Sequence, residues 1–263
     1  MPSLQALVRR PSPQMASGIV THIERVATDA DAALRQWEAY VEALRRAGWT
    51  TMEVPDAPDC PDSAFIEDTM VVFRNVAVIA RPGADERKPE TVAAERFVES
   101  LGLSINRIRP PGTLDGGDVL KVPHPDGTAT IYVGLGGRTN SEGIDQLRRI
   151  LEPLGATVVT VPLTKVLHLK TAVTALPDGT IIGYMPNIDD VTVFPRFLPV
   201  PEESGSHVVL LGGNRLLMAD DAPLTTAMLE QMGYETVRVD ISEFIKMEGC
   251  VTCLSVRMRE LAG

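Results

Sequence analysis

Four stretches of the chain carry apolar residues at three- and four-residue spacing, and each stops at a glycine. Over 31–47 the apolar positions are Leu34, Trp37, Val41 and Leu44, and the pattern ends at Gly48. Over 90–101 they are Val92, Phe97, Val98 and Leu101, ending at Gly102, and over 141–154 they are Ile144, Leu147, Ile150 and Leu151, ending at Gly155. A fourth run, 222–232, ends at Gly233. This is the period of a helix with one buried face, and a glycine just past the last turn closes such a helix in the left-handed conformation.

The segments after these glycines also resemble one another. Short strand-like runs stand at 51–55, 103–108, 158–162 and 236–240. A polar loop comes next, then an apolar hairpin, at 65–81, 118–135, 169–184 and 208–218. Pro-Asp-Gly at 125–127 and 177–179 and Gly-Gly-Asn at 212–214 supply turns. The first three glycines are spaced by 54 and 53 residues, and the wider gap of 78 to Gly233 accommodates a unit with only a short helix near 187–194. The last unit begins at Cys253, where Leu254, Val256 and Met258 alternate as in a half-buried strand, and no helix comes after it. It closes only if the N-terminal strand 4–9 and the 31–47 helix complete it. The repeat therefore predicts five units in a ring with the termini meeting, an α/β propeller around a central channel. With no Ser/Gly/Pro-rich spacer, 1–263 reads as a single domain.

The ring gives polar residues at the loop-to-hairpin junctions a common direction. Those positions hold Asp62, Glu67 and Asp68, then Asp115 and Asp118, then His168, then Ser206, then Cys253. In a pseudo-fivefold ring they converge near the axis, bringing carboxylates, a histidine and a thiol together for covalent catalysis. Each also has a plainer reading. Asp62 and Asp68 serve equally as turn or cap residues, and Asp115-Gly116-Gly117-Asp118 reads as a tight turn. His168 sits in an apolar stretch, as core histidines do, and a free cysteine commonly packs as a small hydrophobe. His22, His124 and His207 read as surface or loop residues, and Cys60 and Cys250 as structural.

Composition narrows the partners. The 263 residues are 44% hydrophobic and 23% charged, with a net charge of -10. That charge argues against nucleic acid and does not exclude a small cationic substrate, which a locally acidic pocket would attract. Three cysteines form no disulfide framework and no zinc-site pattern, which points to a reducing compartment. The N-terminus lacks a signal-peptide pattern, and no apolar run approaches a membrane span of roughly 18 residues. The expectation is a cytoplasmic protein with no membrane partner.

Six motifs, in order along nearly the whole chain, resemble those of the dimethylarginine dimethylaminohydrolases, members of the guanidino-group-modifying superfamily with the five-bladed α/β-propeller (pentein) fold. They are Asp62-Ser63-Ala64-Phe65-Ile66-Glu67-Asp68-Thr69, Arg81-Pro82-Gly83-Ala84, Leu114-Asp115-Gly116-Gly117-Asp118-Val119-Leu120, Gly134 to Arg138-Thr139-Asn140, Leu167-His168-Leu169-Lys170, and Glu248-Gly249 to Thr252-Cys253-Leu254-Ser255. The resemblance implies that Cys253 is the nucleophile, His168 the general acid/base and Asp115 its supporting carboxylate. It further implies that Asp68, with Glu67 and Asp62 nearby, holds the guanidinium and amine of the substrate, and that Arg81 and Arg138 hold its carboxylate. Met247 and Glu248 would contact substrate beside the nucleophile, and Met15 would lie in an N-terminal flap. No metal or organic cofactor is implied, although a soft metal such as zinc could bind Cys253 and His168 and inhibit. Bacterial members suggest a homodimer. The same residue set also serves hydrolases or deiminases of other guanidines, such as Nω-hydroxyarginine, and the fold serves non-catalytic binding propellers. Ser206, at a position where an asparagine is expected, and the flap sequence 10–15 depart from the family pattern.

Overall fold

The computed structural model describes residues 4–259. The chain begins with β1 (Leu4–Val8), α1 (Ala30–Arg46) and β2 (Thr50–Glu53). Two full repeats come next: β3 (Met70–Phe73), β4 (Val76–Ile79), α2 (Glu90–Ser100) and β5 (Ser104–Arg107), then β6 (Val119–Pro123), β7 (Ala129–Leu135), α3 (Ser141–Leu151) and β8 (Ala156–Pro162). The next unit has a one-turn helix, α4 (Leu169–Ala172), before β9 (Val173–Ala175), β10 (Ile181–Gly183) and β11 (Phe197–Pro199). The last is β12 (Val209–Gly212), β13 (Arg215–Ala219), α5 (Pro223–Gln231) and β14 (Glu235–Val239), followed by α6 (Ser242–Ile245) and β15 (Val256–Arg259).

These strands form five three-stranded sheets, ordered β3-β4-β5, β6-β7-β8, β9-β10-β11, β12-β13-β14 and β15-β1-β2. Each blade is an antiparallel hairpin plus a third strand parallel to the second, and a parallel neighbour requires a crossover of helical length. The ring closes through its ends: β1 runs antiparallel to β15, with Leu4 opposite Arg259, and parallel to β2, with Gln5 opposite Thr50. The first hairpin strands, β3, β6, β9 and β12, together with β15, line a central cavity of about 180 Å³. No helix among the described residues is long and apolar enough to cross a membrane.

The helices form where the pattern placed them, to within one residue, except that α3 ends at Leu151 and Glu152–Leu154 continue as a 3-10 turn. Gly48, Gly102, Gly155 and Gly233 all have φ between 83° and 93°, which a side chain would oppose. α1 is started by Asp29, whose side chain accepts from Asp31 N at 2.9 Å and Ala32 N at 3.0 Å. Its inner face, Trp37, Tyr40, Val41 and Leu44, packs in one cluster with Leu217, Val239, Cys253 and Leu254. Burial of each large side chain there stabilises the fold by roughly 1.5–3 kcal/mol, and Tyr40 Oη lies 2.7 Å from Ser255 Oγ. Helix α1 thus props the segment that carries Cys253.

Two elements differ from expectation. The unit with the wide glycine spacing has no full crossover helix; two 3-10 turns, Met185–Asn187 and Val191–Val193, lead into β11, which no glycine-ended helix announces. The strand expected from Cys253 begins only at Val256, and residues 251–254 form a turn. Cys253 therefore sits on a tight bend before the strand.

Candidate active site

A 3-10 turn, Ile66–Thr69, carries two successive acids whose side chains part company. Asp68 accepts from Gly117 N at 2.8 Å and from Arg87 Nη1 at 2.5 Å. Glu67 turns into the central cavity, where its Oε1 accepts from Lys170 Nζ at 2.6 Å and Arg257 Nη2 at 2.7 Å. The neighbouring Gly116-Gly117 pair is a requirement of packing. A Cβ on Gly116 would stand 2.0 Å from the Glu67 carbonyl oxygen, and one on Gly117 would stand 2.6 Å from both Asp68 Oδ1 and His168 Nδ1.

His168 precedes α4 and is buried among carboxylates. Its Nε2 lies 3.0 Å from Asp115 Oδ2 and its Nδ1 3.8 Å from Asp68 Oδ1. Asp115 is held by Gly83 N, which donates to its Oδ1 at 2.9 Å, and by Arg138 Nη1 at 3.4 Å. Asp118 accepts from Leu169 N at 3.0 Å and Thr139 Oγ1 at 2.6 Å, fixing the backbone next to the histidine. Burial disfavours the imidazolium, yet Asp68, Asp118 and Asp115 outweigh it and raise His168 to about 9. Asp68 is likewise penalised by burial, but His168 and Arg87 bring it down to about 2. Desolvation pushes Asp118 up to about 6. At neutral pH His168 is therefore a proton donor.

Cys253 and His168 line the same cavity, of about 20 Å³, together with Ile19, Asp62, Phe65, Asp68, Arg87, Arg138, Leu167, Met247, Glu248 and Gly249. The Cys253 carbonyl accepts from Glu67 N at 3.1 Å, which ties the turn carrying Cys253 to the acidic turn. A hydrogen bond with Cys250, burial, and the fields of Asp68 and Glu67 push the Cys253 thiol well up. It is protonated at rest, and a cation in the cavity would favour its thiolate.

Two carboxylates hold a loop over this cavity. Asp62 accepts from Ile19 N at 3.0 Å. Glu248, at φ 61°, accepts from Thr21 N at 3.1 Å and Ile23 N at 3.0 Å, as well as from His22 N. Its side chain is only 3% exposed.

Of the residues expected at the site, Cys253, His168, Asp62, Asp68, Arg138, Met247 and Glu248 line the cavity, and Asp115 stands directly behind His168. Glu67, Arg81 and Met15 are not among the lining residues. Glu67 points to the other side of its turn. Arg81 donates to the Gly112 carbonyl at 3.1 Å, and Met15 is packed in the core cluster of α1. In place of Arg81 the structure brings Arg87, which bonds Asp68 and also pairs with Glu90 at 2.8 Å. Its signal in the sequence was a charge pair three residues apart at the start of α2. His207, expected at the surface, is buried, with Nε2 2.8 Å from the Thr171 carbonyl. Ser206 is also buried, its Oγ accepting from Tyr184 N at 2.8 Å, so it supports its blade.

Among the described residues, Asp68, Asp115 and His168 offer atoms within 4.8 Å of one another, as a metal site would. A protonated imidazole has no lone pair for a metal. At about 9, His168 is itself the cation that these carboxylates hold.

The five closed blades with a cysteine, a histidine and carboxylates at one end define a pentein. No family model matches the chain. It is 64% identical over 261 residues to the N(G),N(G)-dimethylarginine dimethylaminohydrolase of Streptomyces coelicolor, covering 99% of each chain. A solved dimethylarginine dimethylaminohydrolase, a histidine-to-glycine variant as an adduct with S-methyl-L-thiocitrulline, superposes with a TM-score of 0.89 at 30% identity, over 98% of this chain and 100% of that one. The Pseudomonas aeruginosa enzyme, as a cysteine-to-serine variant complexed with citrulline, gives a TM-score of 0.88 at 31% identity over the same shares. The chain belongs to the dimethylarginine dimethylaminohydrolase family.

Proposed function

We propose that this protein hydrolyses Nω-methylated arginine, giving citrulline and dimethylamine or methylamine, with Cys253 as nucleophile and His168 as acid and then base. The observation that carries the reading is a thiol and an imidazolium that line one acid-lined cavity. The relatives named for this activity support it. The anionic wall of Asp68 and Asp62 suits a guanidinium and an α-amine, and Arg87 and Arg138 are the cations offered to the carboxylate.

The charges set the order of the steps. A docked guanidinium offsets the acidic field on Cys253, and the thiol gives its proton to solvent. The thiolate attacks the guanidinium carbon and forms a C–S bond. His168 donates its proton to the methylated nitrogen, the C–N bond breaks, and the amine leaves. A thiouronium remains on Cys253. Neutral His168 then takes a proton from water as the water oxygen bonds to that carbon. The added hydroxyl gives its proton to solvent as the C–S bond breaks, citrulline forms, and Cys253 is again a thiolate. Asp115 and Asp68 keep His168 oriented through both transfers.

Substrate choice is tested with a product panel: dimethylarginine, monomethylarginine, Nω-hydroxyarginine and free arginine, assayed for citrulline, ornithine and the released amine. Citrulline with methylated amines from the first two is the expected result. Turnover confined to hydroxyarginine or free arginine would overturn it. The three buried free thiols fit a reducing, cytoplasmic setting, which cell fractionation tests.

A further inference from the structure

Cys250 stands beside the nucleophile, and the reaction does not use it. The two sulfurs are 3.3 Å apart. Cys253 N donates to the Cys250 carbonyl at 3.1 Å, and a turn closed in this way holds its end Cα atoms within about 7 Å. A disulfide needs Cα atoms about 4.4–6.8 Å apart and sulfurs at about 2.05 Å. The sulfurs have about 1.3 Å left to close. Cys250 otherwise touches Thr252 Oγ1 at 3.2 Å. The pair shares a hydrogen bond, and the acids near Cys253 drive the first ionisation toward Cys250, which is drawn well below the ordinary thiol range. A thiolate therefore forms in the pair more readily than in an isolated buried thiol. The adjoining cavity of about 20 Å³ has room for a water-sized molecule.

We propose that Cys250 and Cys253 form a peroxide-responsive modification site, in which an intramolecular disulfide reversibly masks the nucleophile and spares it from irreversible oxidation. A thiolate of the pair attacks one oxygen of hydrogen peroxide. The O–O bond breaks, and the leaving hydroxide takes up a proton to become water. The second thiol then attacks the sulfenic sulfur, the S–O bond breaks, and a second water leaves as the Sγ–Sγ bond forms. Two thiols and one peroxide give one disulfide and two waters, and a dithiol reductant returns both thiols. The loss of turnover on oxidation rests on the reading of Cys253 as nucleophile; the bond itself does not.

The test uses the full-length protein without substrate. It is treated with hydrogen peroxide, labelled with N-ethylmaleimide and cut with trypsin, which leaves both cysteines in the peptide 247–257. The expected product is that peptide short of two hydrogens and unlabelled, while buried Cys60 stays reduced. Turnover falls in parallel and returns with dithiothreitol. In Cys250→Ser the first oxidation should be slower, and with no second thiol to trap it the Cys253 sulfenic acid that forms should go on to sulfinic acid, a gain of two oxygens that the reductant does not reverse. The proposal is overturned if the wild-type peptide keeps both maleimides, or if its Cys253 reaches sulfinic acid as fast as in the variant. The mass readout needs no substrate, so a negative product panel leaves it standing, and the reverse also holds.

Discussion

Asp115→Asn removes a charge from the surroundings of His168 while keeping the side chain's shape. Oδ1 of Asp115 accepts from Gly83 N at 2.9 Å, and an amide oxygen preserves that bond. Oδ2 faces His168 Nε2 at 3.0 Å and Arg138 Nη1 at 3.4 Å, so the new amide group would set donor against donor. The rise of His168 from 6.5 to about 9 corresponds to about 3 kcal/mol in favour of the imidazolium. Asp115 shares it with Asp68 and Asp118. A hydrogen bond to a charged group contributes about 1.5–3 kcal/mol, so its loss should bring the His168 pKa down by about 1–2. The imidazole also loses the acceptor that orients its ring, so proton delivery to the leaving amine is misaligned and kcat should fall on the order of 10²-fold. Stability should move with it. Because the folded value lies above the unfolded one, the stabilisation is fully present below 6.5 and is lost as pH rises through about 9 in the wild type. In the variant that loss shifts to lower pH. NMR titration of labelled histidine and thermal melts from neutral to alkaline pH read both effects. A His168 titration that stays in place, with kcat unchanged, would refute the assignment of Asp115.

The same geometry sets three further outcomes. Arg87→Ala removes the guanidinium that the buried carboxylates of Asp68 and Glu90 share and leaves Glu90 without its ion-pair partner, which should cost about 3–5 kcal/mol; thermal melting reads this, and a shift of only a degree or two would contradict it. In Glu248→Ala the amides of Thr21, His22 and Ile23 lose their acceptor, so hydrogen exchange at 21–23 should speed up while the blade strands stay protected. Neutral iodoacetamide should alkylate substrate-free Cys253 slowly at neutral pH and faster as pH rises, because the thiol is pushed well up; a rate already at its plateau at neutral pH would mean that a thiolate is present at rest.

The sequence shows the ring through features that are local and periodic. The helix-end glycines, the apolar faces and the turn residues at 125–127 and 177–179 each act within a few residues, and together they give four blades and the closure by β1. The fourth unit was harder, because its crossover is made of 3-10 turns without helical periodicity, so β11 went unseen. The site was legible as a set of junctions but not residue by residue. Glu67 and Asp68 are adjacent in sequence, yet one faces the central cavity and the other the histidine; only the rotation of that turn decides which. Arg87 and Arg81 are likewise separated by a bend, and position along the chain does not say which guanidinium reaches Asp68. The clasp between Glu248 and the loop at 21–23 joins residues more than two hundred apart, and it depends on a backbone φ of 61° that composition does not encode.

The proposed chemistry turns on a bond between Cys253 and the substrate's guanidinium carbon. The bond is sought in His168→Gly, which lacks the base that hydrolyses the intermediate, by acid-quenching after incubation with S-methyl-L-thiocitrulline, whose thiolate leaves without a proton from His168, and sequencing the peptide 247–257 by mass spectrometry. A thiouronium on Cys253 and an unmodified Cys250 are expected. An adduct on Cys250, or an unmodified peptide from protein that is still turning over, would contradict the assignment of the nucleophile.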